Sequence, residues 1–499
     1  MKTTKIFMLA LAAAIISLQS CNFLEIDTEK TIASSDVDYT DVSAMYDPVV
    51  GAYQDLRTLG MHWVQNFLWN GRDDDVTTGR KDDQGDALLY GYRGGYLNPS
   101  TYWGLNELWV NMYHIIRTCN SSIEALNQFA EHIEKGSTDY ATYLSYKGEV
   151  QTIRAWAYYM LVTTFGPTVI IYENNQTDFT RSTVRKVIAY NITELDDAAA
   201  NMQRMRPNQM AHVGAFTAFS AQALNARFNL LAEDFNKVKT LTDDIITNGG
   251  FSLYPDYYNL FKIPGKLCDE SLMEVQCTDY GVANSDYLGV DQWFNAYGGQ
   301  VLVTATGSKI AGWNFMRYNR NFVKWATDRG ETIRLAVTCM QKDDVTPEGD
   351  VVQNSYVASG KGYLPYNQMT PGSTEWGKNN NVRLLRYAEV LLMNAEAKIR
   401  LGESGDSPLN EVRTRSSMST ITGANLNDVL DERRMELSME WGLRYTDLVR
   451  TAQAATILNS ELCPRDEGKE GVWTTDKTYL PVPGTQLTET PSLANEPRD

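Results

Sequence analysis

The chain is poor in the residues that most catalytic centres are built from. It has four histidines, His62, His114, His132 and His212, far apart and forming no HxxxH or HExxH pair. Helical zinc sites of that kind are therefore excluded. Its six cysteines contain no CxxC, which argues against a zinc knuckle or a thioredoxin-type redox site. Apart from Cys21, the cysteines form an odd, scattered set: Cys119, Cys268, Cys277, Cys339 and Cys463. They read as small buried hydrophobes, with a Cys268–Cys277 pair in an oxidising compartment as the alternative. GxSxG and GxxxxGK[ST] are both missing, and Gly91, Gly94 and Gly95 do not make a dinucleotide fingerprint. Beyond the N-terminus no apolar run approaches the 18 or so residues a membrane helix needs. Positive charge is also short: 45 basic against 62 acidic side chains give a net charge of −17. A surface of that sign repels phosphate backbones and anionic lipid, so nucleic acid is not an expected partner.

The first twenty residues are the exception to the lack of apolar runs. Lys2 and Lys5 precede an apolar stretch from Ile6 to Leu18, which is too short to cross a hydrocarbon layer of about 30 Å. Met1 to Ser20 reads as a secretory signal. Leu18-Gln19-Ser20-Cys21 has a small residue just before a cysteine, the arrangement of a lipoprotein box, although Gln19 stands where a small residue is commoner. Cys21 is the expected acylation site. More than one acyl chain would hold the protein on a membrane without crossing it. Residues 21–38, with Glu25, Asp27 and Glu29 close behind the cysteine, read as the tether.

What the remainder has is helical periodicity. In Arg383 to Leu401, Leu385, Ala388, Leu392, Ala395 and Ile399 recur at steps of three and four and lay down one apolar stripe. Arg383, Arg386, Glu389, Lys398 and Arg400 fall off the stripe, which predicts a wet opposite face. Gly402 past a basic last turn is a stop signal. A second amphipathic piece runs from Ser407 through Met418, and a third from Leu426 to Thr451. In the third, Glu432, Arg433, Glu436 and Glu440 are spaced to pair along the helix. Upstream, helices are predicted over Val42–Leu59, Trp103–Glu134, Tyr140–Phe165, Arg181–Met202 with Ser182 as N-cap, His212–Ala232 and Asp234–Asn248. Gly166-Pro167 ends the third of these sharply. Ala218, Ala221, Ala223 and Ala226 allow close helix approach, and successive helix pairs with small contact residues suggest a tetratricopeptide-like stack.

Residue choice narrows this further. Leu385 to Ala397 (LRYAEVLLMNAEA), Leu409 to Arg415 (LNEVRTR) and Glu432 to Arg450 (ERRMEL…GLRYTDLVR) stand in the order seen in the SusD/RagB family, which this chain resembles. Gly148 to Ile170 (GEVQTIRAWAYYMLVTTFGPTVI) resembles a further family motif, and Phe251–Phe261 and Ser271–Gln276 fit family positions, so the likeness runs from about Gly148 to the end. The resemblance implies a mainly α fold, with tetratricopeptide-like helix pairs as scaffold and a loop-rich, short-strand ligand-binding insertion. The expected organisation is a signal peptide over 1–20, the tether over 21–38 and one body over 39–499. Residues 278–381 would be the insertion and 382–451 the C-terminal motif block. It also implies a surface lipoprotein that binds an oligosaccharide and delivers it to a SusC-like, TonB-dependent outer-membrane barrel. A peptide-binding lid of a peptide importer is the alternative. A surface glycoside hydrolase and a protein-binding scaffold are the readings from other classes.

Two stretches are rich in aromatics among Gly, Asn and Asp: Trp63–Trp103 and Thr278–Asn381. Sugar rings present apolar C–H faces that lie flat on indole and phenol rings, while amides and carboxylates take the hydroxyls. The family resemblance places a ligand platform in these two regions. Trp69, Tyr96, Trp293, Asn295 and Trp313 are its expected residues, chosen from local composition. Trp109, Arg154 and Trp156 read as scaffold. No carboxylate pair stands out among the 62, so no catalytic residue is assigned. Asp73, Asp74, Asp75, Asp82 and Asp83 fail as a calcium loop, because Thr78 and Gln84 occupy the positions that want Gly and Glu. A solvated acidic loop is expected there, with an irregular structural calcium site as the alternative and no other cofactor. Glu396, Arg413, Arg415, Glu432, Arg433 and Asp447 are expected to form structural ion pairs that lock helices together.

Overall fold

The computed structural model describes residues 37–78, 100–282, 301–304, 307, 309–312, 316–353, 357–373, 379–460 and 472–499. The scaffold is a run of helices: α1 (Asp47–Thr58), α2 (Trp63–Asn70), α3 (Trp103–Ala130), α4 (Thr138–Phe165), α5 (Val184–Asn201), α6 (Ala218–Leu231) and α7 (Phe235–Asn248). α1 lies on α3, α3 on α4, and so on through α7. The stack then closes on the later helix α10 (Tyr387–Arg400), which also carries α11 (Asp406–Arg415) and α12 (Leu426–Glu436). This is the expected mainly α, tetratricopeptide-like arrangement. Among the described residues no helix is long and apolar enough to cross a membrane.

Local chemistry sets the helix ends. Ser137 caps α4 by accepting from the Tyr140 amide, and Gly166 ends it at φ +70°, where a Cβ would also strike the Tyr479 ring at 2.6 Å. α5 starts later than the sequence suggests. Thr183, not Ser182, is its cap, because the Ser182 amide is committed to the Thr168 carbonyl at 2.7 Å. α6 starts later too, after a Thr217–Ser220 capping box, which leaves residues 212–216 as a turn. Ala218, Ala221, Ala223 and Ala226 of α6 are fully buried, as close helix contact requires.

Short strands fill the insertion, where long helical stripes are missing. β3 (Val301–Val303) pairs with β4 (Lys309–Ala311) and β7 (Val351–Val352), and β6 (Cys339–Met340) pairs with β8 (Ala358–Ser359). Two short helices, α8 (Arg320–Asp328) and α9 (Ile333–Thr338), lie between. Cys119, Cys268, Cys277 and Cys339 are free thiols, so Cys268 and Cys277 do not pair.

Two expectations fail for tertiary reasons. The helix predicted from Arg383 begins only at Tyr387, because Val382–Arg386 is a strand, β9, paired antiparallel with β2 (Ser271–Val275). The predicted helix from Leu426 to Thr451 is two, α12 and α13 (Leu443–Arg450). Met439, Trp441 and Gly442 between them take positive φ. The break seats the Trp441 indole N–H on the Arg383 carbonyl at 2.8 Å and the Gly442 amide on Asn70 Oδ1 at 3.0 Å. A Cβ at Gly442 would meet the Trp69 carbonyl at 2.6 Å, so only glycine admits this approach.

The face predicted to be wet is dry over Arg383, Arg386 and Glu389, while Lys398 is half-buried and Arg400 exposed as expected. Arg383, Arg386, Glu389, Glu396, Glu432 and Glu436 are all under a tenth exposed. Arg227 donates to Glu389 at 2.8 Å, Arg413 to Glu432 at 2.8 Å, Arg433 to Asp447 at 2.7 Å and Arg450 to Glu396 at 2.7 Å. The ion pairs expected between helices are therefore present. They run between elements, not along one helix face.

Candidate ligand-binding face

The two aromatic-rich stretches meet in space. β1 (Val76–Thr78) of the first pairs antiparallel with β5 (Met316–Tyr318) of the second, in the register Val76 to Tyr318 and Thr78 to Met316. The Asn319 amide continues the contact by donating to the Asp75 carbonyl at 2.9 Å. A mixed face built from residues far apart in sequence is thus assembled at one ladder.

Its base is the Asp73–Asp75 turn, which is buried, contrary to the expected solvated loop. Asp73 accepts from the Asp75 and Val76 amides and shapes the turn into β1. Arg444 grips Asp74 at 2.8 and 3.1 Å, and Arg434 reaches Asp74 at 2.9 Å and Asp75 at 2.8 Å. Burial alone would raise the Asp74 carboxyl, but the Arg444 and Arg434 guanidiniums hold it below its usual range. Burial, reinforced by Asp75 and Asp74, pushes Asp73 well up. Since arginines already neutralise Asp74 and Asp75, this turn does not suit calcium. Among the described residues no cluster of three acidic, histidine or cysteine side chains fits a metal.

Of the expected platform residues, Trp69 is a correction. It is 3% exposed, its indole N–H donates to Thr164 Oγ1 at 3.0 Å, and its ring lies 5.7 Å from that of Trp441. Trp441 in turn meets Trp156 edge-on at 4.7 Å. Trp69 is therefore core and offers no face to a ligand. Tyr96, Trp293, Asn295 and Trp313 lie outside the described residues, as does Cys21. Trp109 and Trp156 are buried as expected, and Arg154 pairs with Glu194. Asp82 and Asp83 are also outside the described residues.

The structure adds a pair the sequence reading left unassigned. Trp63 opens α2 and Trp103 opens α3, and their rings stand 5.7 Å apart at 59°. Trp103 is 43% exposed and Trp63 half-buried, with His62 a further 5.9 Å along. Both tryptophans sit at helix N-termini bordering the first aromatic-rich stretch. Their place at its two ends was the only signal available.

A separate cleft of about 240 Å³ lies between α1, the 212–215 turn and the end of β2. Tyr46 stacks on His212 at 3.6 Å, and the Tyr46 and Tyr53 hydroxyls donate to Glu149 beneath at 3.2 and 3.0 Å. Burial pushes the Glu149 carboxyl up to about 8, against the pull of its two tyrosine donors. The folded state thus holds a proton that the unfolded chain releases near its ordinary value of 4.5. Stability from this group is present at low pH and is lost as pH rises through that window. Glu149→Gln is expected to flatten the fall in thermal stability between about pH 5 and pH 8, and to be the more stable form above it by about 2 kcal/mol. Parallel curves for the two proteins would contradict this.

Comparison with known proteins gives a consistent result. Residues 224–497 match the model described as the SusD family, and residues 98–230 match one described as starch-binding associating with outer membrane. A SusD-like protein of Bacteroides ovatus is 22% identical over 378 residues, 68% of this chain and 64% of that protein's length, which is under two thirds of it. SusD-like protein P38 of Formosa agariphila is 22% identical over 493 residues, 88% of this chain and 90% of its own. Among solved structures, surface glycan-binding protein A from Bacteroides thetaiotaomicron, determined with laminarihexaose, superposes with a TM-score of 0.72 at 21% identity. It covers 91% of this chain and 98% of its own. The corresponding protein from Bacteroides uniformis gives 0.71 at 24% identity, with the same coverage. With more than half of its length matched by the family model, and with the helix stack and the three ordered motifs described above, this chain belongs to the SusD family.

Proposed function

We propose that this chain is a cell-surface glycan-binding lipoprotein, anchored through Cys21 to the outer leaflet of an outer membrane. It captures oligosaccharides and delivers them to a SusC-like, TonB-dependent barrel. The observation that carries the glycan reading is the Trp63–Trp103 pair, two indoles held at an angle on rigid helix ends with one ring 43% exposed. Such a pair gives a sugar ring an apolar floor and wall. It borders the stretch that the β1–β5 ladder joins to the insertion, where Tyr96, Trp293, Asn295 and Trp313 stand as further platform candidates. Support also comes from the glycan named with the Bacteroides thetaiotaomicron structure. Capture and hand-over require no covalent step, and no residue is given a catalytic role.

Calorimetry of the soluble protein beginning after Cys21, against plant, host and microbial glycans and a peptide mixture, tests this. One glycan class is expected to give saturable heat, and Trp103→Ala to weaken it about tenfold, or about 1.4 kcal/mol, with an unchanged melting temperature. Heat from peptides alone would replace the glycan reading with a peptide-binding one.

A further inference from the structure

The cleft between α1 and β2 holds a cation without a counter-ion among the described residues. Arg57, in the last turn of α1, lines it. Among the described residues Arg57 has no hydrogen bond or ion pair, and its Nε is buried without an acceptor. Arg57 as a residue is half-buried, whereas the buried arginines Arg227, Arg334, Arg386, Arg433, Arg444 and Arg450 each sit on a carboxylate. The position in the last helical turn suits the helix dipole but leaves the guanidinium's donors unspent. Glu274, the carboxylate lining the same cleft, forms no ion pair with Arg57, and only its Oε1 is left without a hydrogen bond. Its Oε2 accepts from the Leu267 amide at 3.0 Å and from Asn381 at 2.8 Å, and Arg383 lies 3.6 Å from Oε1.

The surroundings fit a ligand with one charged end. The volume of about 240 Å³ equals roughly eight waters at about 30 Å³ each, enough for a hexose-sized group. Val50 and Val213 stand at the rim, 49% and 60% exposed, and Tyr46 with His212 forms a flat stacked wall. The turn is shaped for this: Gly214 is at φ +91°, and a Cβ there would collide with the Gln276 amide nitrogen at 1.2 Å. That amide holds the turn by donating to the Val213 carbonyl at 2.9 Å. None of the cleft's lining residues belongs to the Trp63–Trp103 pair.

We propose that this cleft is a carboxylate-binding site, separate from the glycan platform. Arg57 clamps the carboxylate through charge-assisted hydrogen bonds, and the apolar rim and stacked rings hold the body of the ligand. The same chemistry is offered by an acidic sugar and by an acidic amino-acid group, and the probes distinguish them. Full-length protein is titrated at low salt with glucuronic acid against glucose, and with N-acetylglutamate against its neutral diamide. The expected result is saturable binding of one acid, at least about tenfold tighter than its neutral partner, because an unpaired guanidinium gains most from a charged acceptor. Arg57→Gln is expected to abolish that preference with little change in melting temperature, since Arg57 has no hydrogen bond or ion pair to lose among the described residues and only the helix dipole to forgo, and Arg57→Lys to retain part of it. Preference for glucuronic acid assigns the site to acidic sugars, and preference for N-acetylglutamate assigns it to acidic peptides. Equal binding of acids and neutral partners, or a preference that survives in Arg57→Gln, overturns the proposal.

Discussion

Replacing Glu436 with alanine is expected to cost about 3–5 kcal/mol of stability, the largest effect of any single substitution considered for this chain. Its carboxylate is fully buried at the end of α12. One oxygen accepts from Arg386 at 2.9 Å and Arg415 at 2.5 Å, and the other faces Arg334 at 3.3 Å. Arg386 also holds Glu270 at 2.6 Å and Glu440 at 2.8 Å, Arg334 holds Glu331, and Lys361 holds Glu440 at 2.7 Å. The cluster therefore ties the end of β9, the insertion, α11 and α12 to one another. Burial by itself would raise the Glu436 carboxyl, yet the guanidiniums of Arg415, Arg386 and Arg334 hold it far below its ordinary value. Removing it leaves three buried cations short of one counter-charge, a state water cannot relieve. The same linkage gives a pH signature. Stability from Glu436 is present above its unfolded value of 4.5 and lost as pH falls further. Urea unfolding at pH 7 measures the loss, and Glu436→Gln, which keeps the shape but not the charge, should lose most of it too. A cost under about 1 kcal/mol for both variants would show that the cluster does not clamp these elements.

Asp74→Ala is expected to cost about 3 kcal/mol and to act where the candidate ligand-binding face is built. Arg444 loses its principal partner, leaving Asp75 at 4.0 Å among the described residues, while Arg434 retains Asp75 at 2.8 Å. The backbone of the same turn anchors the insertion, since the Asp75 carbonyl accepts from the Asn319 amide and the Asp74 carbonyl from the Asn319 side chain. Loosening the turn should therefore open the β1–β5 ladder. Hydrogen exchange at the Asn319 amide, bonded to the Asp75 carbonyl in the native state, is the direct readout. Exchange should quicken about tenfold or more at this site and little in α4. Unchanged protection at Asn319 would separate the arginine clamp from the ladder and remove the argument.

The reach of the sequence is clearest in α4 and α10. The stripe through Val150, Ile153, Ala157 and Met160, the stop at Gly166, and the stripe through Ala388, Leu392 and Ala395 required only a regular spacing, and all are buried as predicted. The ordered C-terminal motifs carried the family assignment. Spacing shows that two faces of a helix differ. It does not show what lies against either one. Arg386 and Glu436 have the periodicity of a solvated face, and only a partner brought from another part of the chain turns that face into a dry ionic core. Arg383–Arg386 reads as helix by pattern and becomes part of a strand because Ser271–Val275 supplies the ladder. Trp69 and Trp103 come from the same composition, yet one is sealed beneath Trp441 and the other, packed against Trp63, stays 43% exposed. Local order, helix ends and the residues that need burying were thus determined by the sequence alone. Which charged faces are dry, where two distant aromatic stretches meet and which arginine is left without a counter-ion among the described residues were decided by tertiary structure, because each depends on contacts between residues far apart in the chain.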